Sequence, residues 1–362
     1  MKYENFSLNT GLSIGNQFPI RVNCNIGANT TNDYSEEIKK IKEIASLHKI
    51  PDLMMDLSLK RFKKPLYTIL KNELDVSVGT VLSYLPFSKK EGLNWNKCKE
   101  YLIELCESGI SFVTIHFTAD ISLYQKALQT NRLTPISSRG GGICLYDQKI
   151  NYRKKNIFIE HIDEIADIAK KYDIAISIGC TFRPANIFDA LDEVHIKETK
   201  MQKKIKDYLN SRNVKVIIEN IGHISLTSLE KHKKILQSFH APIMPLGPIP
   251  TDSAINNDHI AASIGAAFSS YWNCAHIINC ISRYEHSKSK ITTKATIEAI
   301  KAAQLVAHII NVSKGIYQPV QIDYENAKLR SMSKSCLISQ KNCSRCIDYC
   351  PLKIMEDEPC TD

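Results

Sequence analysis

The stretch that decides the fold runs from residue 174 to 219, where the apolar runs IAISI (174–178) and VKVIIE (214–219) flank a helical pattern that includes residues 197–206. Both runs are almost continuously apolar, which is typical of strands in a parallel sheet covered on both faces. A helical segment between two such strands indicates a crossover connection. This stretch therefore predicts a β–α–β unit.

The same alternation extends over most of the chain. Predicted strands lie at 18–25, 53–56, 76–82, 112–116, 133–137, 174–178, 214–219 and 242–246, and helical spacing covers 35–48, 94–108, 157–171 and 226–239. Eight strands with crossover helices predict an α/β fold, a (β/α)8 barrel of the TIM type, with a doubly wound open sheet as the alternative. We expect the barrel at 1–255, a C-terminal helical extension at 256–317, and a flexible, polar and irregular tail at 318–362.

The composition, with 43% hydrophobic and 23% charged residues among 362, is that of a globular protein. The formal net charge is +9, but no long basic tract is interleaved with aromatic residues, so no nucleic-acid partner is expected. The N-terminus lacks the pattern of a signal peptide, and no run of 18 apolar residues predicts a transmembrane helix. We therefore expect a cytoplasmic protein without a membrane partner, in which the 12 cysteines do not form a disulfide framework.

Polar side chains follow nearly every predicted strand. In a barrel, the C-terminal ends of the strands surround the mouth where active sites lie, so these side chains are candidates for one site. They are Asn23, Asn25, Asp56, Ser58, Tyr84, His116, Ser138, Arg139, Cys180, Arg183, Glu219 and His223.

Three cysteines near the C-terminus, Cys343, Cys346 and Cys350, follow a C-x2-C-x3-C pattern. Three thiolates at this spacing can ligate three irons of a [4Fe–4S] cluster and leave the fourth iron open for a substrate. The spacing leaves open a ferredoxin-type cluster with a fourth ligand from Cys336 or Cys360, a zinc site, and unliganded thiols.

Two further motifs have alternative interpretations. The run from Ser138 to Gly142, SRGGG, can present backbone N–H groups and a guanidinium to a phosphate, or it can be a plain tight turn. His223 in ENIGH and His286 in YEH suit a divalent-metal site with open positions, or they are buried hydrogen-bonding residues.

These motifs resemble those of the 4-amino-5-hydroxymethyl-2-methylpyrimidine phosphate synthase (phosphomethylpyrimidine synthase) family. The similarity covers nearly the whole chain, with the motifs in family order. They are Ile20–Gly27, Met55–Ser58, Gly79–Val81 with Tyr84, Thr114–His116, Ser138–Gly141, Arg183-Pro184, Glu219–His223, Leu246–Pro248 with Thr251-Asp252, and Asp258-His259 followed by Ile264–Ala267.

The resemblance implies a radical S-adenosylmethionine (SAM) enzyme, a carbon–carbon lyase of thiamine biosynthesis that rearranges 5-aminoimidazole ribonucleotide. It implies a homodimer, a mobile arm whose cysteines hold the [4Fe–4S] cluster, and an electron donor such as flavodoxin or ferredoxin. Asn25, Met55, Tyr84 and His116 would line the substrate, and Ser138, Arg139 and Gly140 would hold its phosphate. Arg183 and Glu219 would complete the pocket, Glu219, Cys180 and Tyr84 are the catalytic candidates, and His223 and His286 would bind zinc or iron.

The chain also departs from the family pattern. The cluster motif is one residue shorter than the family's C-x2-C-x4-C, and the Asp-Gly-Leu-Arg run is replaced by Cys180-Thr-Phe-Arg183, which removes a carboxylate. Met244 replaces a pocket tyrosine. The alternatives are therefore a 5-hydroxybenzimidazole synthase, which makes a cobalamin lower-ligand precursor, and a divergent paralogue with another product. A non-catalytic, nucleotide-binding barrel with a zinc site is the alternative from a different class.

Overall fold

The computed structural model describes residues 3–332, 335–338, 343, 345–352 and 354, which form two compact units, Met1–Ala307 and His308–Asp362. The strands are β1 (Asn5–Ser7), β2 (Ser13–Gly15), β3 (Arg21–Ile26), β4 (Leu53–Asp56), β5 (Ser77–Val81), β6 (Phe112–Ile115), β7 (Ala175–Ile178), β8 (Val216–Ile218) and β9 (Ile277–Asn279). The helices are α1 (Thr31–Ala45), α2 (Leu66–Glu73), α3 (Trp95–Glu107), α4 (Ile121–Gln129), α5 (Arg139–Ile150), α6 (Ile157–Glu160), α7 (Ile162–Lys171), α8 (Glu193–Ser211), α9 (Leu226–Gln237), α10 (Asp258–Tyr271), α11 (Thr293–Ser313) and α12 (Tyr317–Met332).

Strands β3 to β9 form one parallel sheet in the order β8-β7-β6-β5-β4-β3-β9. Its two edges meet at Ile243. The backbone of this residue bridges to Ile218 of β8, and its carbonyl accepts an N–H from Ile277 of β9 at 3.2 Å. The sheet therefore closes into a ring with Ile243 in the eighth position, which confirms the predicted TIM-type barrel and rejects the open sheet.

The last two positions of the ring differ from the sequence prediction. The strand predicted at 242–246 is reduced to the single bridging residue Ile243, because Pro242 and Pro245 have no N–H to donate to a ladder. The ring nitrogen Nδ1 of His276 accepts the N–H of Ile243 at 2.9 Å and replaces a strand partner. Strand β9 lies beyond residue 255, in the segment that was expected to be helical. The predicted boundaries at 255 and 317 stay predictions as domain limits.

The prediction of a strand at 133–137 is wrong. Pro135 interrupts this segment, and the carboxylate of Asp189 accepts the backbone N–H groups of Leu133 and Thr134 at 2.8 and 2.9 Å. The side chain of Leu133 is 67% exposed, so its apolar character does not reflect burial in a sheet. The Asp189 carboxylate therefore accepts the backbone hydrogen bonds that a neighbouring strand would otherwise accept.

The remaining predicted elements are confirmed with small shifts at their ends. Helices α1, α3 and α9 match the predictions at 35–48, 94–108 and 226–239. The helix predicted at 157–171 is divided at His161 into α6 and α7.

The barrel packs in two apolar layers. Side chains such as Met55 and Phe112 fill the interior, while Met54 and Ile115 point into the layer between the sheet and the helices. The interior leaves no room at Gly79, since a Cβ there would lie 2.2 Å from Cζ of Phe112. The β1–β2 hairpin adds Phe6 and Ile14 to the interior cluster.

The second unit contains a helix that the sequence did not predict. The segment after Gln318 was expected to be irregular, but α12 extends to Met332. Pro319 lies in its first turn, where a missing N–H costs nothing, and good helix formers follow. The rest of the predicted flexible tail falls partly outside the described residues. Within the described part of the chain, no helix is long and apolar enough to cross a membrane.

Candidate active site

A cavity of about 630 Å³ opens at the C-terminal ends of the strands. Its walls include Asn279, Met244 and Glu285 in addition to most of the residues that the sequence singled out. The predicted site residues that line it are Asn25, Met55, Tyr84, His116, Ser138, Arg139, Arg183, Glu219, His223 and His286. Gly140 and Cys180 do not line it.

One corner of the cavity is built around the ring of His116. Its Nε2 lies 2.8 Å from Oγ of Ser138, and its Nδ1 is buried without a hydrogen-bond partner in the described residues. Burial in the barrel wall, and then the charge of Arg183, lower the pKa of His116 to about 3, so the ring is neutral. A neutral imidazole offers one donor and one acceptor nitrogen to its surroundings.

The glycine run begins helix α5 rather than forming a turn after a strand. Ser138 is the N-cap, and its Oγ accepts the N–H of Gly141 at 3.1 Å. Glycine is required at position 140 because a Cβ there would lie 2.3 Å from Cε1 of His116. The lack of space next to His116 therefore requires glycine here, although glycine has a low helix propensity.

Two arginines stand near this corner. Arg139 is exposed and lies over the ring of Tyr84, with its guanidinium carbon 5.6 Å from the ring centroid. Arg183 is half-buried and donates one N–H to the carbonyl of Cys180 at 3.0 Å. Each guanidinium keeps further donors for an anionic ligand.

Glu219 lies in the cavity wall at the end of β8. Its Oε1 accepts hydrogen bonds from Thr114 at 2.6 Å and Ser177 at 3.0 Å. Burial raises the pKa of Glu219, while the hydrogen bond from Thr114 and the charge of Arg183 oppose this shift. A carboxyl group with a raised pKa is suited to hold and release a proton.

A chain of hydrogen-bonded amide side chains fixes Asn25. Nδ2 of Asn23 donates to Asn25 at 2.9 Å and to Asn279 at 2.6 Å, and Asn279 donates to the carbonyl of Pro245 at 2.7 Å. Asn279 is not among the predicted site residues, because the sequence pattern predicts a helical region where β9 lies. The sequence does contain a signal for a strand end here, since Asn279 follows the short apolar run that ends at Ile278.

The two histidines predicted to bind a metal meet in the cavity wall. Their Nε2 atoms lie 3.2 Å apart, and Nδ1 of His223 and of His286 contact Asp252 at 2.6 Å and Asp258 at 3.1 Å. Zinc–imidazole bonds of about 2.0–2.1 Å in a tetrahedral site place two nitrogens about 3.3 Å apart. The pair therefore fits a metal, with each carboxylate orienting its ring from behind.

The electrostatics of this pair are consistent with metal binding. Burial lowers the pKa of His223, although the hydrogen bond that its Nδ1 donates to Asp252 opposes the shift, and a lowered pKa favours the neutral ring that can act as a ligand. Among the described residues, no group of three or more His, Cys, Asp or Glu side chains is gathered around one point. A metal held here would keep open coordination positions.

Cys180 lies behind the cavity. Its thiol is buried and donates to Oε2 of Glu198 at 3.0 Å, and burial raises the pKa of Cys180 well above its ordinary value. Glu198 also accepts the N–H groups of Thr181 at 2.5 Å and Phe182 at 2.7 Å. This buried carboxylate, which sequence reasoning missed, holds the loop that carries Arg183.

The tail cysteines lie in the second unit. Cys343 and Cys350 are half-buried and Cys346 is exposed, and all three thiols are free. The residues between the last two form a short 3-10 turn at Ile347–Tyr349. Three free thiols on so short a segment fit the ligand chemistry of an iron–sulfur cluster.

A family model described as the radical SAM ThiC family matches residues 2–335. The chain belongs to this family. A phosphomethylpyrimidine synthase from Thermotoga neapolitana is 28% identical over 372 residues, which covers 95% of this chain and 87% of that protein. Membership in the ThiC family makes the chain a radical SAM enzyme, which implies SAM, a [4Fe–4S] cluster, a small-molecule substrate and a reductant. The hypothesis of a non-catalytic barrel is rejected on the same ground.

Solved structures with some similarity to this ThiC-family chain include two other enzymes. Dihydropteroate synthase from Xanthomonas albilineans is 11% identical, covers 84% of this chain and 98% of its own, and has a TM-score of 0.46. A type I 3-dehydroquinate dehydratase from Clostridium difficile is 11% identical with the same coverage and a TM-score of 0.48. Nothing about the site of this chain follows from either.

Proposed function

We propose that this enzyme makes the pyrimidine of thiamine, 4-amino-5-hydroxymethyl-2-methylpyrimidine phosphate, from 5-aminoimidazole ribonucleotide. The observation that carries the proposal is the convergence of ten predicted site residues on one cavity. Family membership and the similarity to a phosphomethylpyrimidine synthase support it. The cavity volume of about 630 Å³ lies in the range typical of small-molecule sites.

The substrate phosphate would bind at the start of α5. Ser138 and Arg139 would supply a hydroxyl and a guanidinium, and Gly140, which does not itself line the cavity, would add a backbone N–H where the helix dipole favours an anion. Arg183 adds a second guanidinium on the same side of the cavity. Arg139 is exposed and Arg183 is half-buried. In the described residues, neither has a carboxylate partner within hydrogen-bonding distance, and binding of an anion at this corner would explain this.

The ring and ribose of the substrate would lie against Asn25, Met55, Tyr84 and His116. The ring of His116 is neutral, and its Nδ1 is buried without a hydrogen-bond partner in the described residues. Glu219, with its raised pKa, would hold a proton next to the reacting atoms. We assign general acid–base catalysis to Glu219 and substrate positioning to Tyr84. A catalytic role of Cys180 stays a hypothesis, because its thiol faces Glu198.

The auxiliary metal would be held by His223 and His286. A zinc or ferrous ion in this place would act as a Lewis acid that anchors nitrogen or oxygen donors of a ligand. Asp252 and Asp258 would keep both rings in the tautomer that directs Nε2 toward the metal. Metal analysis tests this directly, since His286→Ala should lose one equivalent of zinc or iron while His308→Ala should keep it.

The cluster would be held by Cys343, Cys346 and Cys350. A [4Fe–4S] cluster supplies the electron that cleaves SAM, so a reductant such as flavodoxin or ferredoxin is part of the proposal. We further propose that the enzyme works as a homodimer, as the family resemblance implies.

One observation favours a second candidate product. Met244 lines the cavity where the family pattern described above has a tyrosine, and the thiol of Cys180 faces Glu198 where that pattern has an aspartate. The first change removes a polar group from the cavity wall and the second removes a carboxylate from the loop behind it, while the phosphate and metal features are kept. A related product from the same substrate, 5-hydroxybenzimidazole, is therefore the alternative.

Product analysis separates these candidates. Anaerobically reconstituted enzyme would be incubated with 5-aminoimidazole ribonucleotide, SAM and dithionite, and the products identified by liquid chromatography and mass spectrometry. We expect the phosphorylated pyrimidine. Formation of 5-hydroxybenzimidazole or another product from the same substrate would overturn the thiamine assignment and retain the radical SAM assignment.

A further inference from the structure

The run from Glu219 to His223 connects two groups to which the proposed function gives roles. Glu219 follows strand β8 and is the proposed acid–base group, and His223 is one of the two proposed metal ligands. Both side chains line the cavity, and only three residues separate them in the chain. The backbone conformation of those three residues therefore decides whether both side chains face the cavity together.

Ile221, in the middle of this run, has an unusual backbone conformation. Its φ angle is 64°, in the left-handed region, where the Cβ atom of an L-amino acid is crowded by its own backbone. A β-branched side chain makes this conformation especially unfavourable. Backbone strain of this kind persists only where surrounding contacts fix it, and it is concentrated at functional sites.

The side chain of Asn220 makes contacts that hold this conformation. Its Oδ1 accepts the N–H of Ile221 at 2.6 Å. Its Nδ2 donates to Oε1 of Gln202 at 2.7 Å and to Oγ1 of Thr199 at 3.3 Å, and both of these residues belong to helix α8. Asn220 is completely buried, so water does not compete for these hydrogen bonds. The strained residue is thereby tied to α8.

Two histidines also direct a ring nitrogen at Oδ1 of Asn220. Nε2 of His195 on α8 lies 3.5 Å from this oxygen, and Nε2 of His232 on α9 lies 3.3 Å from it. Burial lowers the pKa of His195 to about 3 and that of His232 to about 4, so both rings are neutral. Nδ1 of His195 accepts the N–H of Leu191 at 3.2 Å, so the proton of this ring is on Nε2, which donates to Asn220.

The same network reaches the backbone of Glu219. Nε2 of Gln202 donates to the carbonyl of Glu219 at 2.5 Å and lies 3.3 and 3.4 Å from the carbonyls of Ile178 and Gly179, at the end of β7. Asn220 and Gln202 do not line the cavity. They can therefore influence it only through the residues that they hold.

We propose that Asn220 is a positioning residue, which holds Ile221 in the left-handed conformation and so directs Glu219 and His223 into the same cavity. The inference rests on the proposed function, in which Glu219 holds a proton and His223 binds a metal. Without Oδ1 of Asn220, the buried N–H of Ile221 loses its acceptor and the backbone relaxes out of the left-handed region. This relaxation turns His223 away from His286.

The test measures metal binding, turnover and substrate binding separately. Asn220→Ala should weaken binding of zinc to the metal-free protein about tenfold or more and lower kcat for ribonucleotide consumption by a similar factor. The dissociation constant of the ribonucleotide should stay unchanged, because its phosphate is proposed to bind at the start of α5. Gln148→Ala is the matched control, since Gln148 is also a buried amide, donates to the carbonyl of Ala119 at 2.7 Å and lies outside the cavity. It should change neither zinc binding nor kcat.

A second substitution separates positioning from a merely structural role. Asn220→Ala/Ile221→Gly still lacks the hydrogen bond, but glycine adopts a φ angle of 64° without crowding. Relative to Asn220→Ala, we expect zinc affinity and kcat to rise about threefold or more, because the strain is gone. A structural role predicts a further loss instead, since glycine also removes the fully buried Ile221 side chain.

The outcomes are distinguishable. Unchanged zinc binding and kcat in Asn220→Ala, or a further loss of both in the double variant, would overturn the inference. If Asn220→Ala fails to fold, Asn220→Ser, which is too short to bridge Ile221 and Gln202, must show the same selective loss and the same recovery with Ile221→Gly. Wild-type protein that binds zinc but consumes no ribonucleotide would overturn the proposed function, while the zinc measurements would still test the role of Asn220.

Discussion

Arg139 has two features that suit the phosphate site proposed at the start of α5, which is called the phosphate corner below. Its guanidinium packs over Tyr84, with the guanidinium carbon 5.6 Å from the ring centroid, and keeps its planar fork of donors for an anion. A lysine ammonium offers neither this stacking plane nor a bidentate contact with phosphate. We therefore expect phosphate binding here to require arginine and not only a positive charge.

Arg139→Lys should weaken binding of 5-aminoimidazole ribonucleotide by about 1–3 kcal/mol, measured as a dissociation constant. Arg61→Lys is the control, because Arg61 pairs with Glu104 at a largely exposed position outside the cavity and should have no effect on binding. A dissociation constant for Arg139→Lys equal to that of the wild type would contradict phosphate binding by this side chain.

Glu198 acts on the cavity through the loop it holds. The carboxylate accepts hydrogen bonds from the Thr118 hydroxyl at 2.6 Å, from the Cys180 thiol and from two backbone N–H groups. Burial raises the pKa of Glu198, and these hydrogen bonds oppose the shift. The loop ends at Arg183, so the geometry of the phosphate corner depends on this buried group.

Glu198→Gln should lower the free energy of unfolding by about 1–3 kcal/mol, because the amide replaces one acceptor oxygen by a donor that faces backbone N–H groups. Chemical denaturation measures the change, and ribonucleotide binding should weaken in parallel. Glu193→Gln, on the same helix α8 but with its side chain 67% exposed, should change stability by no more than about 0.5 kcal/mol. Equal stabilities for the two variants would refute the positioning role.

At the level of elements, the first turn of α5 is shaped by contacts across the barrel. Gly140 faces the His116 ring and Gly141 faces Thr181, where a Cβ would lie 2.4 Å from Cγ2. Gly142 has open space, since its Cβ would meet only Cδ1 of Ile136 at 3.4 Å. Steric contacts therefore require glycine at positions 140 and 141 but not at position 142.

Gly140→Ala should destabilise the barrel and abolish ribonucleotide binding, because the added methyl group displaces the His116 ring that Gly140 and Gly179 enclose. Gly142→Ala should keep binding and gain up to about 1 kcal/mol of stability from helix propensity. Thermal unfolding and calorimetric binding of both variants make the comparison. A Gly140→Ala variant as stable and as tightly binding as Gly142→Ala would contradict the packing described here.

The sequence predicted elements well where they carry long apolar runs. Strands β4 and β6, for example, lie within one residue of their predicted ends because continuous burial on both faces leaves a clear pattern. Strand β9 has only three residues and Ile243 only one ladder position, so neither produces a periodic signal. Segment 133–137 has an apolar composition but is organised by Asp189, a contact that no local pattern encodes.

The sequence predicted which residues line the candidate site but not how their side chains are oriented. Family-like motifs named the residues that line the cavity, including His223 and His286. Whether a side chain faces the cavity depends on contacts from distant segments, as the contact of Cys180 with Glu198 on α8 illustrates. Asp252 and Asp258 lay within quoted motifs, yet their place behind the two histidine rings required the fold.

For the whole molecule, we predict that radical chemistry depends on the tail cysteines. Cys343→Ala, Cys346→Ala and Cys350→Ala should each abolish SAM cleavage and lower the iron content, while far-ultraviolet circular dichroism stays that of a folded barrel. Cys336→Ala, also exposed in the tail, should keep four irons and full cleavage if three cysteines are sufficient. Retention of four irons and full cleavage by all three variants would remove these residues as ligands.

The most direct measurement of the central claim is formation of 5′-deoxyadenosine by the anaerobically reconstituted wild-type enzyme. With dithionite, SAM and 5-aminoimidazole ribonucleotide, we predict 5′-deoxyadenosine in proportion to the ribonucleotide consumed, and a much lower yield when the ribonucleotide is omitted. Protein that contains four irons and binds the ribonucleotide, yet releases no 5′-deoxyadenosine above the level without it, would contradict the claim that this cavity carries out radical SAM chemistry on an aminoimidazole ribonucleotide.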